Sequence, residues 1–534
     1  MKLFSTSRTC AGVLVACSVL AAGVTAQSVS FQGDTFTNHG LVGVGRIAAS
    51  TRDSFGETFG SFSAFYLDQA SWGRSGNTYS GTLYTQPDRG YNGAGTTNYA
   101  PRFNEISFTF TPAAGGAPAQ NQVALNLVQT TRFQESGGTL FTSLDPTPSG
   151  TGSRPAITPQ ALPQAHNGRL SLDAEGIVRR PDGTLYVSDE YGPYVYRFSA
   201  NGTLLSVVNS PDALLPQRSG ATSFASNNPG VGQPAPSPAN PVSGRQNNQG
   251  LEGLTISPDG TKLYALLQSA TRQDLNTASV AGSRANTRML VYDLATDPAN
   301  PALIAEHVVQ LPTFAPTTAS GPGSAAVAAQ SELIAINDTQ FLLLARDGRG
   351  NGLDNPSTAM VDEGRSDFRQ ILLLDITGAT NIAGTSFDDL GASIAPGGVL
   401  NSGLTPALSS SFIDLNDAAE LAKFNLGNGT SFGADNLSEK WEALSLASAL
   451  DAENPDDYFL FVGNDNDFIT ADGFQDGGAY DAGFENDNMI LVYRVTLPSA
   501  TLAAIPEPSA FAALGGAAAL ALALTRRRSR ADAR

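Results

Sequence analysis

Four glutamates stand at the head of apolar, strand-like runs: Glu175 in Ala174-Glu175-Gly176-Ile177-Val178, Glu252 in Leu251-Glu252-Gly253-Leu254, Glu332 in Ser331-Glu332-Leu333-Ile334, and Glu442 in Trp441-Glu442-Ala443-Leu444. Brought together, such carboxylates raise one another's pKa and either keep protons or gather a cation. Oxygen-only donors suit a hard ion, so calcium is the natural candidate. A second strand-like run follows each glutamate and ends in polar residues: Asp189-Glu190, Gln268, Arg346-Asp347 and Asn464-Asp465-Asn466-Asp467. Asp189, Asp465 and Asp467 extend the candidate metal set, and Arg346 is a candidate anion contact. The competing reading is mechanical, in which carboxylates on inner strands accept backbone N–H bonds and fasten neighbouring units. The Asp472, Asp476, Asp481 and Asp487 stretch lacks EF-hand spacing and reads as a solvated loop.

The elements that must position these residues are strands. Long helical periodicity is nearly absent, while short β-rich runs separated by turns such as Pro181-Asp182-Gly183 and Pro258-Asp259-Gly260 recur along the chain. The runs group into repeats. The clearest comprises Ala174 to Val178, Leu185 to Glu190, Tyr194 to Phe198 and Leu204 to Val208. Others begin at Leu251, Ser331 and Trp441, and Leu41 to Ala48, Gly81 to Gln86, Ile106 to Phe110 and Val123 to Val128 form a more diverged unit. Repeated four-stranded units predict an all-β fold, a β-propeller of five or six four-stranded blades with long loop insertions such as Thr222 to Gln249 and Ala315 to Ala329. A β-sandwich or two separate β domains is the competing architecture. In a propeller the first strands line the channel, which would bring the four glutamates to one mouth.

Composition narrows the chemistry. The formal net charge is −18, and the terminal segments are net basic, so the chain between them is more acidic still. Nucleic acid is excluded as a partner, since phosphate backbones are bound through basic surface. Only His39, His166 and His307 are available, and no Gly-x-Ser-x-Gly elbow occurs, which argues against zinc chemistry and a Ser-His-Asp triad.

The strings Asp173-Ala174-Glu175-Gly176-Ile177, Val187-Ser188-Asp189-Glu190-Tyr191-Gly192, Gly250-Leu251-Glu252-Gly253-Leu254, Ala345-Arg346-Asp347-Gly348-Arg349-Gly350 and Pro87-Asp88-Arg89-Gly90 resemble the phytase-like domain also described as "esterase-like activity of phytase", over residues 39–497. The resemblance implies a calcium-dependent propeller related to phosphoric ester hydrolases. It implies Glu175, Glu252, Glu332, Glu442, Asp465 and Asp467 as ion ligands, Glu252 and Glu332 as catalytic candidates, and Arg89, Arg346 and Lys440 as phosphate contacts. The first unit departs from the pattern, because Leu41-Val42-Gly43-Val44 carries no glutamate. Two other expectations stand beside this one: a non-catalytic propeller binding a glycan or other ligand in a surface matrix, and a lactonase-like hydrolase polarising a carbonyl through one central ion.

The ends read as export signals. Lys2 and Arg8 flank an apolar run, Cys10 to Val24, and Val24-Thr25-Ala26 offers a cleavage site, so residues 1–26 form a secretory signal peptide. Leu14-Val15-Ala16-Cys17 also resembles a lipoprotein box. Both cysteines lie in this segment, which leaves the mature chain without disulfides. At residues 505–534, Pro506-Glu507-Pro508, an apolar stretch over 510–524 and Arg526, Arg527, Arg528 and Arg530 resemble the PEP-CTERM sorting signal of Gram-negative bacteria, with an exosortase as processing partner. That implies a protein exported to the cell envelope or extracellular matrix and held, at least initially, by the C-terminal helix.

Overall fold

The computed structural model describes residues 26–317, 325–354, 359–362, 365–429 and 433–502, so the expected signal segments, 1–26 apart from Ala26 and 505–534, lie outside the described residues. The chain is mostly β: among the described residues the one α-helix is Ala418–Ala422, and no helix is long and apolar enough to cross a membrane.

Five four-stranded antiparallel sets lie among the described residues. The first is Ala64–Leu67, Thr78–Gln86, Arg102–Phe110 and Val123–Arg132. The second is Ala174–Arg179, Leu185–Asp189, Val195–Phe198 and Leu204–Val208, and the third Leu251–Ile256, Lys262–Leu267, Asn286–Asp293 and Ala302–Gln310. The fourth is Ala329–Ala335, Gln340–Arg346, Arg369–Asp375 and Leu408–Asp414. The fifth takes Lys440–Ser448, Asp457–Asp465 and Asn488–Thr496 from one end of the chain and Asp34–Ile47 from the other. Every sheet is open. The first and fifth sets touch through one parallel pairing, Gly45 with Val123.

The first strands contact one another in cyclic order, set one to two, two to three, three to four, four to five and five back to one. Apolar side chains fill the space between neighbouring sets. Phe103 and Tyr84 meet Ile177 and Tyr196, Val178 and Tyr186 meet Leu254 and Leu263, and Tyr264 meets Phe341. Leu342 and Ile371 meet Leu444 and Leu491, and Phe459 and Phe461 meet Phe108 and Phe110. Strands covered on both faces read as continuous apolar runs, as Gln340–Arg346 does with every residue buried.

The N-terminal strand differs from expectation. Leu41 to Ala48 does not open the first set; it is the outermost strand of the last, with Leu41 opposite Tyr493 and Val44 opposite Leu491. The first set opens instead on Ala64–Leu67, preceded by Ser61 and Ser63 where the other sets carry acids. Alternation identifies a strand, whereas its partner is set by long-range burial, here of Phe36, Leu41, Val42, Val44 and Ile47.

Candidate functional site

The first strands carry their acids at a shared irregularity. In the second, third and fifth sets the register slips at Glu175, Glu252 and Glu442, between Ala174 and Ile177, Leu251 and Gly253, and Trp441 and Ala443. A bulge re-aims a side chain that regular pleating would send elsewhere. The residue after each glutamate is small because the next first strand approaches closely: a Cβ on Gly176 would come within 2.4 Å of Leu254 Cβ.

The fourth set breaks this pattern. Its register slips between Gln330 and Glu332, which puts Ser331 at the bulge and Glu332 back in regular pairing with Leu344. Glu332 Oε1 then accepts the backbone N–H of Leu254 from the neighbouring set at 2.9 Å and that of Leu333 at 2.8 Å. This is a fastening role. Replacing Glu332 by Ala strands the Leu254 donor, and thermal or denaturant melts should read a loss of about 1–3 kcal/mol with cation binding unchanged. A normal melt combined with loss of cation binding would instead place Glu332 in the centre.

The second strands deliver their terminal residues to the same rim. Ligand oxygens of Asp88, Asp465 and Asp467 lie within 4.8 Å of one another, and so do those of Asp173, Glu175 and Glu190. Lys440 Nζ stands in the first triad, 2.8 Å from Asp467, 3.5 Å from Asp465 and 3.9 Å from Asp88. Beside the second triad, Arg89 Nη1 is 3.2 Å from Asp173 Oδ2 while also donating to Asn248 Oδ1. Arg346 pairs with Glu442 and donates to Ser331 Oγ at 3.1 Å. Glu252 Oε1 accepts from Gln268 Nε2 at 2.8 Å, and its Oε2 is buried without a partner. Asp189 faces inward to its own turn, where its oxygens accept the N–H groups of Asp173, Tyr191 and Gly192.

Burial governs the electrostatics. It lifts the pKa of Glu175, reinforced by Glu252, and that of Asp88, reinforced by Asp465. Glu190 is pushed up to about 8 by burial and Asp173, and Glu442 to about 7 by burial against the pull of Lys440 and Arg346. Burial also opposes ionisation of Asp465, yet Lys440 and the Asp467 N–H hold it below the usual carboxylate value. The carboxylates in turn hold Lys440 charged against the cost of its burial.

The structure thus gathers Glu175, Glu252, Glu442, Asp465, Asp467, Arg89, Arg346 and Lys440 at one rim and sets Glu332 and Asp189 to backbone contacts. It adds Asp88, Asp173 and Glu190. The signal that points to Asp88 is its place two residues beyond the second strand of its set, near where Glu190 follows its own second strand and Asp465 ends its own. The other end of the space between the first strands is an apolar cavity lined by Phe65, Ile177, Leu254, Leu444 and Leu446.

An all-β protein of cyclically contacting four-stranded sets, with a buried carboxylate centre on one rim, is the class defined by these features. The chain belongs to the phytase-like family, described as "esterase-like activity of phytase", whose sequence pattern matches residues 57–468. A protein of Arthroderma benhamiae named "Uncharacterized secreted protein" is 37% identical over 464 residues, covering 82% of this chain and 88% of that one. Among solved structures, a luciferin-regenerating enzyme superposes with a TM-score of 0.28 at 11% identity, over 87% of this chain and 98% of that one. A gluconolactonase from Xanthomonas campestris does so with a TM-score of 0.23 at 9% identity, over 78% and 90%.

Proposed function

We propose that this protein is an exported, calcium-dependent hydrolase of phosphoric esters built on a five-bladed β-propeller closed by its N-terminal strand. The observation that carries the reading is the unsatisfied state of the centre: Asp173 Oδ1 and Oδ2, Glu190 Oε1 and Glu252 Oε2 are buried without hydrogen-bond partners. Buried carboxylate oxygens are costly unless paired, and an oxygen-only donor set fits a hard divalent cation. Asp173, Glu175 and Glu190 would hold the ion. Bound there, calcium supplies charge to a phosphoryl oxygen and acidifies a water. Arg89 brings a buried Nε with no acceptor of its own and is the candidate contact for the substrate anion. Glu252, oriented by Gln268 through one oxygen and free at the other, is the candidate proton acceptor. Arg346 and Lys440 hold Glu442 and the Asp88, Asp465 and Asp467 triad in place.

Export rests on the terminal segments and agrees with the secreted relative. In this reading residues 1–26 are removed, the PEP-CTERM tail over 505–534 is processed by an exosortase, and the protein reaches the cell envelope or matrix.

The test is hydrolysis of para-nitrophenyl phosphate and phytate by purified protein, with calcium and with chelator. Calcium-dependent turnover that falls at least 100-fold in Glu252→Gln is expected. Turnover of a lactone or para-nitrophenyl acetate alone would replace the phosphoesterase with a lactonase-like activity. One observation favours a non-catalytic propeller binding a matrix glycan: Arg89, Arg346 and Lys440 are all engaged by internal carboxylates. No turnover on any ester, with retained calcium binding, would select that reading.

A further inference from the structure

We infer that the centre is built for one divalent cation rather than two: Asp173, Glu175 and Glu190 form its site, while Lys440 Nζ occupies the neighbouring Asp88, Asp465 and Asp467 triad as a covalently attached cation. The inference rests on the reading that the centre takes a divalent ion, and is independent of which ester, if any, is hydrolysed.

Both triads hold their ligand oxygens within 4.8 Å of one another but have different partners. In the triad of Asp88, Asp465 and Asp467, every member has Lys440 Nζ within 4 Å. Asp465 is further satisfied by the Asp467 N–H at 2.6 Å and Ser63 Oγ at 3.2 Å, which leaves Asp88 Oδ1 as the one buried oxygen there without a hydrogen bond. A divalent ion entering that triad would meet the ammonium at contact distance between the buried Asp88 and Asp465, where solvent screens like charges only in part.

In the other triad the needs are reversed. Asp173 and Glu190 are 1% and 2% exposed, and Asp173 Oδ1 and Oδ2 and Glu190 Oε1 accept no hydrogen bond. Arg89 contributes one positive charge beside Asp173, but its Nη1 donates to Asn248 and the Asp173 oxygen stays unbonded. Among the described residues Arg89 is the one cation in ion-pair contact with these three carboxylates, Lys440 and buried Arg245 acting on Asp173 and Glu190 from farther away, so the triad stays undercompensated, and Glu252 Oε2 adds a further unpartnered oxygen. A small ion of double charge that accepts six or more oxygens answers both deficits.

Calorimetric titration of the purified protein with calcium counts the ions. One per chain is expected. Asp173→Asn combined with Glu190→Gln should weaken it at least 100-fold, and Lys440→Gln should bind two. Adding the double substitution to Lys440→Gln should return the count to one, now in the other triad. Two ions in the unaltered protein, no ion, an ion insensitive to Asp173 and Glu190, or a Lys440→Gln protein that still binds one would each overturn the inference. If Lys440→Gln folds only with calcium present, equilibrium dialysis of the calcium-folded protein replaces the titration, with the same count expected. Because ions are counted rather than turnover, inactivity toward phosphate esters leaves this result standing, and an active enzyme binding two ions would fail it alone.

Discussion

A chain shortened to begin at Ala48 is expected not to fold, whereas one beginning at Gln27 folds normally. The segment lost is the outer strand of the fifth set, Asp34–Ile47, paired along its length with Asn488–Thr496. It buries Phe36, Leu41, Val42, Val44 and Ile47. At about 1.5–3 kcal/mol for each large apolar side chain, the loss is comparable to or greater than the whole stability of an ordinary domain, about 5–15 kcal/mol. It also exposes the edge of Asn488–Thr496, an apolar strand prone to pair with another chain. Circular dichroism of the shortened protein should give no cooperative thermal transition, and much of it should be insoluble. Leu41→Ala is the graded form of the test: it should cost about 2–5 kcal/mol, while Val128→Ala at an exposed site stays within about 0.5 kcal/mol. A cooperative melt of the shortened protein near that of the full one would mean that the fifth set is complete without its N-terminal strand.

That strand marks where sequence reasoning reaches its limit. Sets two to four were legible because each begins with an acid, continues through two apolar runs and is punctuated by turns, all of which are local signals. The completion of the fifth set was not, since nothing local to Leu41 to Ala48 names Asn488–Thr496 as its partner. One indirect signal existed: the last repeat shows three strands, ending at Thr496, one short of a four-stranded unit. The glutamates divide in the same way. Glu175, Glu252 and Glu442 are each followed by Gly or Ala and then the apolar run, whereas Glu332 runs directly into Leu333. The missing spacer shifts the bulge by one residue, and a one-residue slip turns a side chain toward a different face. Asp173 lies just before its strand, where no periodicity reaches, and only the packing of the second set against the first makes it a neighbour of Arg89.

Calcium is expected to raise the melting temperature most at alkaline pH and least at acid pH. The rim packs Asp88, Asp173, Glu175, Glu190, Glu252, Glu442, Asp465 and Asp467 against Arg89, Arg346 and Lys440, with buried Arg245 behind Glu190, so acids exceed bases in a largely buried space. Without a divalent ion the excess is relieved by protons. Glu190 and Glu442 hold theirs up to about pH 8 and about pH 7, far above the value of 4.5 that an exposed glutamate has. The folded state then binds more protons than the unfolded one. Their contribution is therefore fully present below about pH 4.5 and is lost as the pH rises through 7 and 8. In chelator, the melting temperature should fall steadily from pH 5 to pH 8. Calcium reverses the slope by replacing protons with fixed charge, and at about 1,000 times its dissociation constant adds about 4 kcal/mol at pH 8. Protons compete for the same oxygens at pH 5 and shrink the gain. Asp173→Asn should remove most of the calcium response and, by deleting one crowded carboxylate, flatten the pH dependence in chelator. Scanning calorimetry at the two pH values, with and without calcium, reads all of these at once. Equal melting temperatures with and without calcium at pH 8 would mean that the carboxylates are balanced internally by Arg89, Arg346 and Lys440, and that the centre holds no ion.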